Sequence, residues 1–129
     1  MDLTFSTAST ALYEIGCLEV EKWKTAYPED EALQSLDHPI VAFDSEANSV
    51  GLFEITIDYF GSVMWIDTLW VKPESRLDGV GSSILSYLTK TCKCSKVKLY
   101  AANNSSHFYR KNGFFNSVGN YYERRITHV

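Results

Sequence analysis

The stretch Ile66-Asp67-Thr68-Leu69-Trp70-Val71-Lys72-Pro73-Glu74-Ser75-Arg76-Leu77-Asp78-Gly79-Val80-Gly81-Ser82-Ser83 decides the fold. Its first part continues an apolar run from Val63 that is broken only by Asp67 and Thr68, the pattern of a central strand covered on both faces. Pro73 ends that strand, because it cannot donate to a ladder. Residues 74–81 form a short polar loop, and Val80, Ile84, Leu85 and Leu88 recur behind it at helical spacing, which predicts a helix over about 80–92. A strand that leads through exposed amides into a helix aims N–H donors and a positive helix end at one point, and such a point binds an anion. Gly79 and Gly81 allow positive φ and close backbone approach to a ligand, and Arg76 can add a bidentate contact. The same glycines would also serve a tight turn with no ligand. Neither GxxxxGK(S/T) nor a full GxGxxG is present, so the two commonest nucleotide loops do not fit.

Upstream, residues 3–6 read as a short strand. Ala8, Leu12, Ile15, Leu18 and Trp23 give the apolar side of a helix over about 8–26, with Glu14, Glu21, Lys22 and Lys24 on a wet face and Gly16 weakening it. Pro28 closes this segment; a helical turn at 29–36 follows, and His38-Pro39 leads into the strand Ile40-Val41-Ala42-Phe43. Beyond the turn residues Asp44 to Ser49, Phe53, Ile55, Ile57 and Tyr59 alternate with Glu54, Thr56 and Asp58 in a long strand, and Gly61-Ser62 reads as a hairpin turn. Downstream, Val97 and Leu99 alternate with Lys96 and Lys98 in another strand. Asn103 or Asn104 caps a short helix that runs through Lys111 to a stop at Gly113. Strands at 114–118 and 121–126 close around Gly119-Asn120. The order is β-α-(α)-β-β-β-α-β-α-β-β, a mixed α/β layer structure with one right-handed crossover.

The chain has 129 residues, of which 45% are hydrophobic and 22% charged, so one ordinary globular domain over 1–129 is expected. A net charge of −4 disfavours nucleic acid as a partner and mildly suits a cationic or amine substrate. Cys17, Cys92 and Cys94 are an odd and sparse set, which points to a reducing, cytoplasmic setting. The Cys92/Cys94 pair lacks a second ligand pair at matching spacing, so no metal site is expected. No basic and apolar leader and no 18-residue apolar run stands in the sequence, so no membrane partner is expected either.

Arg76-Leu77-Asp78-Gly79-Val80-Gly81 resembles the pyrophosphate loop of the GNAT superfamily of acyl-CoA-dependent N-acetyltransferases, which fixes Arg or Gln, then Gly, then Gly or Ala at these spacings. The preceding Leu69-Trp70-Val71-Lys72-Pro73 is similar to the family's strand ending. Phe108-Tyr109-Arg110-Lys111-Asn112-Gly113-Phe114 is similar to its downstream segment. The resemblance is clear over about residues 50–118 and rests on element order elsewhere. It implies a single-domain GNAT-like α/β fold, a mixed, mostly antiparallel sheet of six to seven strands flanked by helices, with acetyl-CoA as cosubstrate.

Carried over by residue, the resemblance implies that Arg76 and the amides from Leu77, Asp78, Gly79, Val80 and Gly81 to Ser82 hold the CoA pyrophosphate. It implies that the main chain at Leu69, Trp70 and Val71 pairs with the pantetheine arm. Asn103, Asn104, Phe108, Tyr109 and Lys111 complete the cofactor contacts, with Lys111 and Arg110 toward the 3′-phosphate. Tyr109 matches the family Tyr near the sulfur, where a phenol can protonate the departing thiolate; an aromatic packed beside Phe108 and Phe114 is the plainer role. Asp67 and Glu54 are the candidates to accept the amine proton, since a carboxylate on a central strand is costly without a purpose or a partner. Ala102 stands where the family often has Asn, and Ser105 where it usually has Ala. Trp23, Tyr27, Trp65 and Trp70 are read first as packing residues, with an aromatic-lined acceptor pocket as the alternative. The implied activity is transfer of an acetyl group to a primary amine of a small molecule or peptide by direct transfer. The alternative is a silent acyl-CoA-binding module. The edges left by the closing strands make a homodimer an expectation.

Overall fold

The computed structural model describes residues 1–7, 11–102 and 104–127. Its elements follow the expected order: β1 (Thr4–Phe5), α1 (Tyr13–Ala26), α2 (Glu31–Gln34), β2 (Ile40–Phe43), β3 (Ser49–Asp58), β4 (Val63–Val71), α3 (Val80–Thr91), β5 (Lys96–Tyr100), α4 (Ser106–Lys111), β6 (Phe115–Val118) and β7 (Tyr121–Arg125). The strands form one seven-stranded sheet in the order β1-β2-β3-β4-β5-β7-β6. β4 and β5 pair in parallel, as a strand-helix-strand crossover requires, while β1–β2, β2–β3, β5–β7 and β6–β7 are antiparallel. The contacts gather into two compact units, Met1–Glu54 with Thr68–Ile84 and Ile55–Asp67 with Leu85–Val129, so β3, β4 and α3 contribute to both.

In the first unit Val20, Trp23, Leu33, Val41, Phe43, Leu52 and Trp70 form one buried cluster. The face that α1 turns into it differs from the expected one. Gly16, Val20 and Trp23 are buried, whereas Ile15 is 47% and Leu18 64% exposed. Gly16 is the reason: a Cβ there would lie 2.7 Å from Ser6 Oγ, so only glycine lets α1 approach the chain at Ser6, whose hydroxyl accepts the Val41 amide at 2.8 Å. The helix therefore selects the stripe that starts at its glycine, and its expected first residue, Ala8, lies outside the described residues.

β3 stops at Asp58, so Tyr59 is not a strand residue; it sits in the turn 59–62 and is 84% exposed. Gly61-Ser62 is the second half of that turn, with Ser62 at φ 54 and the Gly61 amide donating to Asp58 Oδ1 at 3.1 Å. β4 is less enclosed than its apolar run suggests: Val63, Met64, Ile66 and Trp70 are buried, but Asp67 is exposed.

In the second unit Val97 and Leu99 are buried between exposed or half-buried Lys96, Lys98 and Tyr100, the alternation of a strand with one covered face. The residue before α4 is Ser105 and not an Asn; its hydroxyl turns back to donate to the Ala102 carbonyl. Asn104 takes a left-handed conformation at φ 67, and Asn103 lies outside the described residues. No disulfide joins the cysteines: Cys17 is exposed, and Cys92 and Cys94 are buried. Among the described residues no helix is long and apolar enough to cross a membrane, and no cluster of metal-ligating side chains occurs.

Candidate functional site

The loop between β4 and α3 is built from short backbone turns. After Lys72, a 3₁₀ turn at Pro73–Ser75 is closed by the Ser75 amide donating to Lys72 O at 2.9 Å, and the Asp78 amide donates to Ser75 O at 3.1 Å. Gly79, at φ 81, reverses the chain into α3, and nothing lies within 4 Å of the position a Cβ would occupy. Gly81 is not left-handed, contrary to expectation; it is the second residue of α3. A helix leaves its first amides without internal acceptors. Here the N–H groups of Leu77, Gly79, Val80 and Gly81 have no acceptor among the described residues. Four open donors beside a helix N-terminus, over a glycine without a side chain, fit a pyrophosphate.

Arg76 is exposed, and its Nε donates to Val71 O at 2.9 Å, while its two terminal guanidinium nitrogens have no acceptor among the described residues and can face an anion. The strand delivering this loop is seated by Gly51: a Cβ there would come within 2.6 Å of Trp70 O, and the Lys72 amide donates to Val50 O at 3.0 Å. Trp70 itself is buried, packed on Trp23 and Tyr27 with ring centroids 4.9 and 5.7 Å apart, so only its main chain is offered to a ligand. Leu69 and Val71 are half-buried, and Leu77 is 99% exposed.

The two candidate carboxylates differ in surroundings. Glu54 Oε2 accepts the amides of Asp37 at 2.7 Å and His38 at 2.6 Å, so the charge expected to be free for catalysis fixes the segment entering β2. Asp67 is exposed and, among the described residues, takes one side-chain hydrogen bond, from the Thr56 hydroxyl to Oδ2, with no donor at its other oxygen. Neither carboxylate is fully buried: Glu54 is half-buried and Asp67 is exposed.

Tyr109, on the single turn and a half of α4, is only 8% exposed. Its ring meets Phe108, Phe114 and Tyr122 at centroid distances of 5.0, 5.9 and 5.8 Å. Burial pushes its phenol up from 10.0 to about 12, so the group stays protonated throughout the physiological range. The helix is held by the Asn112 side-chain amide donating to Phe108 O at 2.8 Å and by the Tyr122 hydroxyl donating to Ser106 Oγ at 2.7 Å. Lys111 Nζ lies 5.8 Å from the Phe108 ring centroid.

The family model described as "Acetyltransferase (GNAT) family" matches residues 7–114. The chain belongs to the GNAT acetyltransferase family. Acetyl-CoA is the cosubstrate of that family. Several solved GNAT structures have the same fold. Tetrahymena GCN5 superposes with a TM-score of 0.68 at 14% identity, over 98% of this chain and 97% of that one. The PaiA N-acetyltransferase from Thermoplasma acidophilum, in complex with coenzyme A, gives 0.64 at 21%, over 97% and 99%. Nourseothricin acetyltransferase gives 0.59 at 16%, over 69% of this chain, which spans 65% of that enzyme. At these identities the likeness is one of fold. No sequence match is found among curated proteins.

Two arrangements escaped the sequence reading. Trp70 Nε1 donates to Asp30 Oδ2 at 2.8 Å, and an aspartate ahead of a helical turn was the available signal. On β4, β5 and β7, Trp65 and Tyr100 stack with centroids 5.7 Å apart and planes at 16°, and Tyr121 meets both edge-on. The common parity of Trp65 with Asp67 and of Lys98 with Tyr100 would have revealed that shared face once strand register was fixed.

Proposed function

We propose that this GNAT domain, a single domain over the whole chain, transfers an acetyl group from acetyl-CoA to a primary amine by direct transfer. The observation that carries the reading is the set of unsatisfied amides at Leu77, Gly79, Val80 and Gly81 beside the free end of Arg76, in a chain of the acetyltransferase family. When bound, acetyl-CoA supplies an acyl group activated as a thioester and a thiolate leaving group. The loop amides and Arg76 hold the pyrophosphate. The main chain at Leu69 and Trp70 receives the pantetheine arm, while the Val71 carbonyl is already taken by Arg76. Phe108, Lys111 and Asn104 are proposed as cofactor contacts on the family resemblance of this segment alone.

Tyr109 gives its phenolic proton to the departing sulfur, a role that rests on the resemblance of segment 108–114 to the family, since burial raises the phenol and so weakens it as an acid. Asp67, with an open oxygen, accepts the proton the amine loses. Glu54, whose Oε2 accepts the amides of Asp37 and His38, positions the segment before β2. Positioning of a neutral amine against the carbonyl supplies much of the acceleration. Three cysteines outside any disulfide fit a reducing, cytoplasmic setting, and the β6 edge, where Phe115 is 46% and Val118 72% exposed, suits pairing with a second copy.

The deciding experiment is a thermal shift with acetyl-CoA and CoA beside ATP and NADH, followed by CoA release over an amine panel. A shift confined to the CoA species, with turnover of at least one amine, is expected. Tight acetyl-CoA binding without turnover of any amine would leave a binding module in place of an enzyme. A larger shift with ATP or NADH would overturn the cofactor assignment.

A further inference from the structure

The face shared by β4, β5 and β7 carries an ammonium that forms no ion pair among the described residues. Lys98 Nζ lies 5.6 Å from the Trp65 ring centroid and 5.8 Å from that of Tyr121. The side chain is held in place by two rings. Its cross-strand neighbour is Glu123, but that carboxylate faces Lys96 Nζ at 3.8 Å, and Lys98 forms no ion pair among the described residues. One residue pair further along, the parallel ladder ends at Ile66↔Leu99. The next residues on the two strands are Asp67, exposed with one oxygen open, and Tyr100, 66% exposed.

Alternation along each strand puts Trp65, Asp67, Lys98 and Tyr100 on one side of the sheet, and Tyr121, the partner of Tyr100, joins them. Beside the Lys96–Glu123 pair, the face therefore presents Lys98, Asp67 and a sheet of aromatic carbon between them. Lys98 is registered with Trp65, and Asp67 stands two residues on; strand spacing and rise put their backbones about 8 Å apart on the diagonal. Side chains leaning inward from that separation can grip the amino and carboxylate groups of one small molecule, with its body on Tyr100 and Tyr121.

We propose that this face is the acceptor platform and that it takes an amine that also bears a carboxylate, a substrate of the α-amino-acid class. The inference rests on the acetyl-transfer reading above and adds the acceptor to it. Asp67 holds the amino group at the end of the ladder, and Lys98 holds the carboxylate. A simple cationic amine would leave Lys98 unpaired and add a second positive charge beside it, so the platform discriminates against it.

The test sets common L-α-amino acids against their decarboxylated amines, such as L-phenylalanine against phenethylamine, in CoA-release kinetics. The best amino acid is expected to exceed its amine at least 10-fold in kcat/KM. Lys98→Met should bring that ratio close to one through KM with kcat little changed, Lys98→Arg should restore it, and circular dichroism melts should show both variants folded. Amines equal to or better than amino acids in the unaltered protein, or a ratio untouched by Lys98→Met, overturn the proposal. If acetyl-CoA binds and neither class is acetylated, the transfer reading fails separately, and the same pairs are titrated by calorimetry. Amino-acid binding that weakens at least 10-fold in Lys98→Met then supports the platform, and no binding of any amino acid overturns it.

Discussion

The indole of Trp70 donates to the carboxylate of Asp30 across 2.8 Å, joining the strand that delivers the loop to the segment between α1 and α2. The other oxygen of Asp30 accepts the Leu33 amide at 3.3 Å and so starts α2. Asp30→Ala removes a helix cap and leaves a half-buried indole N–H without its acceptor. Each loss costs about 1 kcal/mol, so urea unfolding should show a decrease of roughly 2 kcal/mol. Asp30→Asn, which can still accept, should recover at least half of it.

Glu54→Gln keeps an oxygen for the amides of Asp37 and His38, whereas Glu54→Ala keeps none. A positioning role predicts that Gln leaves kcat within about 3-fold and preserves the shape of the pH–rate profile, while Ala lowers stability by about 1–3 kcal/mol. A folded Gln variant with a 100-fold lower kcat and an altered acid limb would make Glu54 the base after all.

In the loop, Gly81→Glu sets a carboxylate among the open amides at the start of α3 and should weaken acetyl-CoA at least 30-fold by calorimetry with the fold retained. Gly79→Ala acts differently. No atom would meet the added methyl, so its cost is that of the left-handed backbone, about 1 kcal/mol in stability, with acetyl-CoA still bound.

Tyr109→Phe should leave acetyl-CoA affinity nearly unchanged and lower kcat by about 10- to 1000-fold. A second readout follows from the phenol standing at about 12 when folded against 10.0 when exposed. Between those values the unfolded chain has lost a proton that the folded chain keeps, so the unfolded state binds fewer protons and stability falls as pH rises from 10 to 12. Below pH 10 the group contributes no slope. Unfolding midpoints of Tyr109→Phe should therefore fall less steeply over pH 10–12 than those of the unaltered chain.

The order of elements was legible because each rests on local patterns: the Pro73 stop, the glycine turn into α3, the alternation at Lys96 to Leu99. The buried face of α1 was not, since Ile15 and Leu18 are the larger apolar residues and only the close approach to Ser6 explains why Gly16 faces inward. The loop motif was visible, yet which of its glycines is left-handed depends on where the helix begins, a matter of one or two residues. Glu54 and Asp67 looked alike as strand carboxylates; one meets two amides from a distant segment and the other meets solvent, a contrast set entirely by tertiary neighbours. Lys98 looked like a wet strand residue, and its rings come from two other strands.

The division of the chain into interleaved units has a consequence for synthesis. Val20 and Trp23 belong to a cluster completed by Trp70, and the first unit extends to Ile84. On a ribosome adding about 5–20 residues per second, the segment between Trp23 and Trp70 takes roughly 2–10 seconds, during which α1 has emerged without its final partner. Nascent chains halted before Trp70 should thus remain protease-sensitive at α1, and protection should arrive only after β4 and the loop have cleared the exit tunnel.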